Sequence, residues 1–117
     1  MMEIRMARGD IVSRSFTIKN KDGTVFSETP DEIYLTAKAT AYDSEYKFQK
    51  RLSDGGIVNV APGKYQFTII PEDTNALSFS TYYFDIEIVK MPSLKKTFFG
   101  KLVIEKEVTH ACNEGES

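Results

Sequence analysis

Two alternating segments in the middle of this sequence restrict its fold more than any other feature. In residues 64–70 and again in residues 82–88, aromatic and aliphatic side chains occupy every second position, and polar side chains stand between them. A period of two is the pattern of a strand that buries one face and exposes the other. The middle of the chain therefore predicts two half-buried strands joined by a short connection.

The connection between these strands opens with Pro71-Glu72-Asp73-Thr74 and predicts one short helical turn near residues 71–77. Proline needs no hydrogen-bond partner at the first helical position, and Asp73 and Thr74 can bind free amide groups. Tyr82 or Tyr83, at the start of the second strand, could occupy the corner position known from immunoglobulin-type sandwiches, although an ordinary packed aromatic is the simpler interpretation.

Turn residues divide the rest of the chain into further short strands. Asp22-Gly23 and Asp54-Gly55-Gly56 are strong turn signals, because glycine supplies the positive backbone dihedrals of tight turns. Gly100, inside the last alternating segment, predicts a bulge or a tight bend. The residues around Pro92 predict a loop over residues 90–95. The predicted strands are residues 2–7, 12–19, 32–42, 46–52, 57–60, 64–70, 82–88 and 96–108.

Seven to eight short strands separated by Gly, Pro and Asp turns predict an all-β fold, an antiparallel immunoglobulin-like β-sandwich. We expect residues 1–108 to form this single domain and residues 109–117 to form a flexible polar tail. A chain of 117 residues can form one core without disulfide or metal support. It has one Cys and no Trp, so it lacks the disulfide and the tryptophan of antibody domains.

Charge and hydropathy argue against a nucleic-acid partner and against a membrane partner. The formal net charge is −2, and the basic residues are scattered, so we expect no nucleic-acid partner. The apolar runs are far shorter than the roughly 20 residues of a membrane helix, so we expect no membrane partner. The N-terminus lacks an apolar signal-peptide core, and the single Cys112 cannot form an internal disulfide. These features predict synthesis in a reducing cytoplasm.

Candidate catalytic and metal-binding groups are few and poorly arranged. The only histidine lies in the predicted tail, where the candidate metal ligands are His110, Cys112, Glu114 and Glu116. A zinc site usually needs four ligands on an ordered frame, so a solvated terminus is the simpler interpretation. Asp85 and Glu87 share one strand face, but catalytic carboxylates need a cleft and perturbed pKa values. We therefore expect no enzyme, no cofactor and no metal.

A series of short motifs, in this order and spacing, resembles one family of phage proteins. The series covers about residues 7–110 and includes Arg8-Gly9-Asp10, Thr36-Ala37-Lys38, Phe48-Gln49-Lys50, Gly63-Lys64-Tyr65, Pro71-Glu72-Asp73-Thr74 and Tyr82-Tyr83-Phe84-Asp85-Ile86. It resembles the N-terminal immunoglobulin-like domain of phage baseplate upper proteins. It is also similar to small tail structural proteins of phages and prophages of Gram-positive bacteria. The resemblance implies a β-sandwich that works by assembly and carries no catalytic residues.

We therefore expect a non-enzymatic tail or baseplate component of the virion, assembled in the bacterial host cytoplasm. Its expected partners are other phage tail or baseplate proteins, or further copies of the same chain in a homo-oligomer. Baseplate upper proteins continue beyond the sandwich into oligomerising and receptor-facing segments, whereas this chain ends after it. We expect a standalone component for that reason.

Sheet edges are the expected contact regions, because unpaired backbone groups on an edge strand can complete another sheet. The candidate edge strands are Met2–Ala7 and residues 46–52, the second rich in charge. Tyrosines expected to be exposed add apolar contact area, which interfaces favour. The candidate interface residues are Ile4, Arg5, Tyr34, Tyr42, Tyr46, Lys47 and Phe48.

A second hypothesis is a β-sandwich binding module for a carbohydrate or another cell-surface ligand. Such a module needs a concave patch in which several aromatic side chains and convergent polar groups meet. The sequence contains no obvious cluster of that kind.

Overall fold

A computed structural model describes residues 2–40 and 42–106 of the chain. They form eight strands and one helical turn. In chain order these are β1 (Met2–Ala7), β2 (Val12–Thr17), β3 (Glu32–Lys38), β4 (Phe48–Arg51), β5 (Ile57–Ala61), β6 (Lys64–Ile69), α1 (Pro71–Thr74), β7 (Thr81–Lys90) and β8 (Leu94–Glu105).

The strands form two sheets, which confirms the predicted all-β sandwich. One sheet has five strands in the order β1-β8-β7-β3-β4, and the other has three in the order β2-β6-β5. Strands β8, β7, β3 and β4 follow the G-F-C-C′ order of immunoglobulin-type sandwiches, and β2, β6 and β5 follow their B-E-D order. The helical turn α1 connects β6 to β7, as the sequence predicts.

One part of the fold prediction is wrong, because the sandwich is not purely antiparallel. Strand β1 runs parallel to β8, with Met2 opposite Gly100 and Ala7 opposite Glu105. The chain leaves β1 at a corner in which Gly9 has φ 87° and crosses to the other sheet as β2. Because β1 is not joined to its neighbour by a hairpin, no tight turn imposes an antiparallel direction on it.

The core lies between the two sheets and contains the predicted alternating side chains. From β3, Ile33, Leu35 and Ala37 point inward, while their neighbours along the strand stay partly exposed. Strands β6, β7 and β8 alternate in the same way. The fully buried side chains include Ile4, Ile18, Ile57, Phe67, Ile69, Ile86, Ile88, Leu102 and Ile104.

The connection from β6 to β7 is fixed by three polar contacts. Asp73 accepts a hydrogen bond from the backbone N–H of Ile70 at 2.9 Å. The hydroxyl of Thr74, a fully buried polar side chain, accepts one from the N–H of Gly9 at 3.0 Å. The first bond confirms the predicted role of Asp73 at its turn, whereas Thr74 binds the amide of Gly9 in the corner after β1 instead of an amide of its own turn. The hydroxyl of Tyr82 donates to the carbonyl oxygen of Ser78 at 3.1 Å, so Tyr82 forms the tyrosine corner and Tyr83 does not.

Gly100 makes room for an aromatic ring, and the prediction of a bulge there is wrong. The register between β7 and β8 is continuous from Thr81 opposite Val103 to Lys90 opposite Leu94. A Cβ atom at Gly100 would lie 2.2 Å from Cζ of Phe84. Glycine is therefore required by the close approach of the Phe84 ring, not by an irregular backbone.

Several strand ends differ from the predicted bounds. Strands β2, β3 and β4 are shorter than predicted, whereas β7 and β8 extend into the predicted loop of residues 90–95. They leave only residues 91–93 between them, with a cis peptide bond between Met91 and Pro92. Strand β8 ends at Glu105, and Lys106 is not part of it, contrary to the predicted strand. Residues 107–108 of that predicted strand and the predicted tail of residues 109–117 fall outside the described residues.

Candidate assembly surfaces

Both candidate edge strands lie at edges of the five-stranded sheet. Strand β1 is at one end of this sheet and β4 is at the other. Within the described part of the chain, the outer side of each of these strands has no neighbouring strand. The two edges chosen from the sequence are therefore free in the fold, which leaves their backbone groups open to another sheet.

Two of the candidate interface side chains belong to the core. Ile4 is 1% exposed and Phe48 is 7% exposed, because both occupy inward positions of their alternating strands. A partner at either edge can contact the backbone of these residues but not their side chains. As side-chain contacts, these two predictions are wrong.

Arg5 is exposed on β1 and is paired with carboxylates of its own chain. Its guanidinium lies 3.0 Å from Glu105 and 3.3 Å from Glu3. The hydrogen bond to Glu105 and the attraction of both carboxylates raise the pKa of Arg5. Exposed ion pairs of this kind are weak, so Arg5 can exchange these carboxylates for those of a partner.

The three candidate tyrosines differ in exposure. Tyr34 is half-buried, with the guanidinium carbon of Arg51 5.2 Å from its ring centroid, so the prediction of an exposed Tyr34 is wrong. Tyr42 is 97% exposed and Tyr46 is 56% exposed. Tyr46 and the exposed Lys47 precede β4 instead of forming part of it. They belong to the connection between β3 and β4.

Strand β4 also contains an ion pair that sequence reasoning missed. Lys50 points to the inner side of the sheet, opposite Leu35, and its Nζ lies 2.5 Å from the carboxylate of Asp73 in α1. Each side chain is 12% exposed. This pair fastens the edge strand to the connection between β6 and β7, so the charge on β4 is partly structural.

Residues 94–99 of β8 have a neighbouring strand on one side only, and we call this segment the open half of β8. Strand β1 covers β8 only from Gly100 to Glu105, whereas β7 pairs with it from Leu94 to Val103. The carbonyl oxygen of Glu105 faces the β1 side, where it accepts from Arg8, and the N–H of Ile104 faces β7, where it donates to Ser80. Because backbone groups alternate along a strand, the odd-numbered residues Lys95 and Thr97 present their N–H and C=O groups at the free edge, whereas the carbonyl group of Phe99 faces Met2, the first residue of β1.

A groove between the sheets, which we call the side groove, opens beside the open half of β8. It has a volume of about 500 Å³ and lies between β8 and β2, the edge strand of the smaller sheet. Lys96 of β8 donates a hydrogen bond to the carbonyl oxygen of Lys19, two residues beyond the end of β2, at 3.3 Å. The lining is mainly apolar and includes Met2, Phe16, Phe84, Ile86, Phe98 and Phe99.

The outer face of the five-stranded sheet has a second, shallow concavity of about 530 Å³. Its lining combines aromatic and polar side chains: Tyr34, Thr36, Gln49, Asp85, Glu87 and Phe99. Gln49 donates a hydrogen bond to the Thr36 hydroxyl at 3.0 Å. Burial raises the pKa of Asp85; the nearby Glu87 raises it further and Lys38 opposes this effect. The face thus holds a partly desolvated carboxylate beside the 63% exposed ring of Phe99.

Phe99 is the main exposed aromatic residue that sequence reasoning missed. Phe98 is half-buried in the side groove and Phe99 is exposed on the outer face. Two adjacent phenylalanines in a strand must point to opposite faces. The Phe98-Phe99 pair was therefore the available signal that one aromatic ring stands on the outer surface.

Metal and membrane features can be assessed only for the described residues. Among residues 2–40 and 42–106, no three or more His, Cys, Asp or Glu side chains come together as a metal site would require. The tail cluster His110, Cys112, Glu114 and Glu116 lies outside these ranges. Within the same ranges, no helix has the length and apolar character to cross a membrane.

Comparison with known proteins adds no relative. No protein family model, no curated protein and no solved structure matches this chain.

Proposed function

We propose that this chain is a non-enzymatic structural protein of a phage or prophage tail or baseplate that works by protein–protein assembly. The virion context rests on the sequence resemblance to baseplate upper proteins. The assembly role is supported mainly by one observation, the free edge of residues 94–99 beside the apolar side groove. The expected partners are other tail or baseplate proteins, met in the host cytoplasm during virion assembly.

The open half of β8 combines the two contributions by which strand addition gives affinity. Its odd-numbered residues offer backbone hydrogen bonds, and the groove behind it accepts apolar side chains from every second residue of an added strand. Burying apolar area in the groove contributes roughly 25 cal/mol per Å². An extended segment with alternating apolar residues is the partner chemistry that fits this site.

A proline at Thr97 tests this role with little disturbance of the fold. The N–H of Thr97 faces the free edge, so its loss leaves the ladder with β7 intact, and proline is tolerated at such edge positions. We expect Thr97→Pro to abolish copurification with structural proteins encoded beside the gene, while the control Thr97→Ala retains it. Thermal unfolding of the two variants should differ little.

Two results would contradict the proposed function. One is a gene neighbourhood that encodes no tail, baseplate or lysis proteins. The other is that such a protein binds as tightly as to the wild type to a folded Thr97→Pro variant, and also to folded variants altered at the β1 edge and at the β4 edge.

A second candidate function, carbohydrate binding, is favoured by the concavity on the outer face. Aromatic rings beside convergent polar groups are the usual lining of small-molecule sites, and here Phe99 and Tyr34 stand beside Asp85 and Gln49. A glycan array should show a defined ligand for the wild type and at least a tenfold loss for Phe99→Ala (about 1.4 kcal/mol). An array without binding would remove this candidate.

A further inference from the structure

We propose that the open half of β8 binds an extended segment of a partner protein in which acidic side chains alternate with apolar ones. This inference rests on the proposed function, because it assigns the chemistry of the strand that is added at the same free edge. It is carried by the backbone groups that β1 leaves uncovered and by the charge of the two strands that border the side groove.

Strand β1 sets the length of the segment that can be added. It begins at Met2, which faces the carbonyl group of Phe99. An added strand must leave the edge before it reaches Met2, so it can cover residues 94–98. Within this stretch, Lys95 and Thr97 present their N–H and C=O groups away from β7. These groups give about four hydrogen bonds to an added strand of either direction.

The side groove selects apolar residues at every second position of the segment. Even-numbered residues of β8 point to the inner side of the sheet, where Phe98 lines the groove. A residue added opposite Phe98 points to the same side, because residues that face each other across a ladder share one face. Its side chain meets the apolar lining, which includes Met2 and Phe16. Apolar residues at alternate positions therefore gain burial that a fully polar segment does not.

The strands that border the groove concentrate positive charge. Residues 94–101 of β8 and residues 12–19, which include β2, contain five basic residues and no Asp or Glu. The basic residues are Lys95, Lys96, Lys101, Arg14 and Lys19. The chain as a whole has a formal net charge of −2, so this border differs in sign from the rest of the molecule. Acidic residues are the complementary choice for a segment that binds here.

Lys95 is the cation best placed to contact an acidic residue of the segment. Its side chain is exposed, and its partner across the ladder with β7 is Val89 and not a carboxylate. A residue added opposite Lys95 lies beside it on the outer face, with Cβ atoms about 5 Å apart. The outer-face carboxylates of β7, Asp85 and Glu87, lie one strand further away. An acidic side chain at this position is therefore attracted by Lys95 more strongly than β7 repels it.

Two other occupants use less of the site. A second copy would bring its own basic open half to an edge that is already basic, and like charges across a ladder are destabilising. A small apolar ligand would fill the groove but leave the N–H and C=O groups of Lys95 and Thr97 unpaired. An acidic and apolar alternating strand uses the backbone, the groove and the charge together.

Three fluorescent peptides of about seven residues test this chemistry by anisotropy with the wild-type chain. The first alternates valine with glutamate, the second alternates valine with lysine, and the third has the composition of the first with its two residue types in separate blocks. We expect the first peptide to bind at least about tenfold more tightly than either of the others. Equal binding of the second or third peptide would overturn the proposal, as would no binding of the first up to about 1 mM.

Charge reversal locates the binding site. Lys95→Glu should weaken binding of the valine–glutamate peptide by about tenfold and strengthen binding of the valine–lysine peptide. The matched control Lys106→Glu makes the same change in net charge at an exposed residue beyond the end of β8, and it should bind as the wild type does. Thermal unfolding of both variants should match the wild type, because both side chains are exposed. Equal losses of binding would mean that the peptide responds to net charge, and the proposed site would be wrong.

The peptide result and the assembly function can fail separately. If the peptides bind without preference while Thr97→Pro still abolishes copurification with tail proteins, the assembly function stands and the acidic chemistry is wrong. If the valine–glutamate peptide binds at Lys95 but no tail or baseplate protein copurifies, the acidic chemistry stands and the proposed function is wrong. Protection of the Thr97 amide in concentrated protein without peptide would assign the edge to a second copy and overturn the proposal.

Discussion

The two halves of β8 belong to one strand and differ only in what covers them. Residues 100–105 pair with β1, and those up to Val103 also with β7, whereas residues 94–99 pair with β7 alone. Inward side chains in the covered half, such as Leu102 and Ile104, are at most 2% exposed. In the open half, Phe98 is half-buried and Phe99 is exposed. The comparison shows how a fold can bury one half of a strand between two neighbours and leave the other half at an open edge.

The difference in burial between the two halves follows from which strands flank them more than from their side chains. Both halves alternate with a period of two and both contain large apolar residues. Coverage by β1 begins only at Gly100, so the same alternation produces a closed core on one side and a groove on the other. The predictions below test whether stability is concentrated in the covered half.

The largest expected effect is the removal of Leu102. This side chain is 1% exposed, so Leu102→Ala should lower the free energy of unfolding by about 3 kcal/mol through lost transfer energy and a new cavity. Phe98→Ala in the open half should cost less than half as much, although it removes a larger side chain. Urea unfolding of the two variants measures this difference. Equal losses would remove the distinction between the halves.

Adding a methyl group at Gly100 tests the packing of the covered half by overfilling it, where Leu102→Ala leaves a cavity. Its Cβ would lie 2.2 Å from the Phe84 ring, so Gly100→Ala should destabilise the fold by about 2 kcal/mol through overpacking. Phe84→Leu in the same chain should recover part of this loss. The control Thr97→Ala should stay within about 0.5 kcal/mol of the wild type. A Gly100→Ala variant as stable as the wild type would contradict the close packing.

Removing the hydroxyl group of the tyrosine corner, which lies on β7 opposite the covered half, should have a smaller effect on stability. Tyr82 faces Leu102 across the ladder and donates its hydroxyl hydrogen to Ser78 at 3.1 Å. Tyr82→Phe should lower the free energy of unfolding by about 1 kcal/mol. Tyr83→Phe, one residue along and on the outer face, should leave it unchanged. Thermal unfolding would show the contrast, and an equal effect of both changes would contradict the assignment of the corner.

The smallest effect concerns Asp85, which faces Phe99 in the open half. Burial raises the pKa of this carboxyl above its unfolded value of 3.8, so its ionisation disfavours the folded state. The cost develops as pH rises through the interval between the unfolded and folded pKa values, and it remains above that interval. Asp85→Asn should therefore be more stable than the wild type at pH 7, by up to about 0.5 kcal/mol. The gain should vanish near pH 3. A variant destabilised at pH 7 would be inconsistent with this sign.

The sandwich was predictable from the sequence because its signals are local. A period of two and glycine or aspartate turns each act within a few residues, and they located every strand, if not each strand end. The role of Asp73 was predictable for the same reason, since its side chain binds the amide of Ile70 three residues away; the partner of Thr74, Gly9, is distant in the sequence and was not predicted. The position of both candidate edges was also correct.

What sequence reasoning missed depends on contacts between distant residues. The parallel pairing of β1 follows from a sheet change at Gly9, and the Lys50–Asp73 pair joins residues of different elements. Gly100 looked like a local irregularity, but its neighbour is Phe84 on another strand. The open half of β8 could not be recognised without knowing where β1 begins to cover it.

Residue-resolved amide hydrogen exchange, followed by NMR at low and high protein concentration, tests the central comparison most directly. In dilute protein, the amides of Lys95 and Thr97 should exchange rapidly, while those of Lys101 and Val103, which face β1, stay protected. Binding of a partner strand at this edge should protect the Lys95 and Thr97 amides. Slow exchange of these two amides at every dilution would contradict the account, because it would mean that the edge is already paired within the chain.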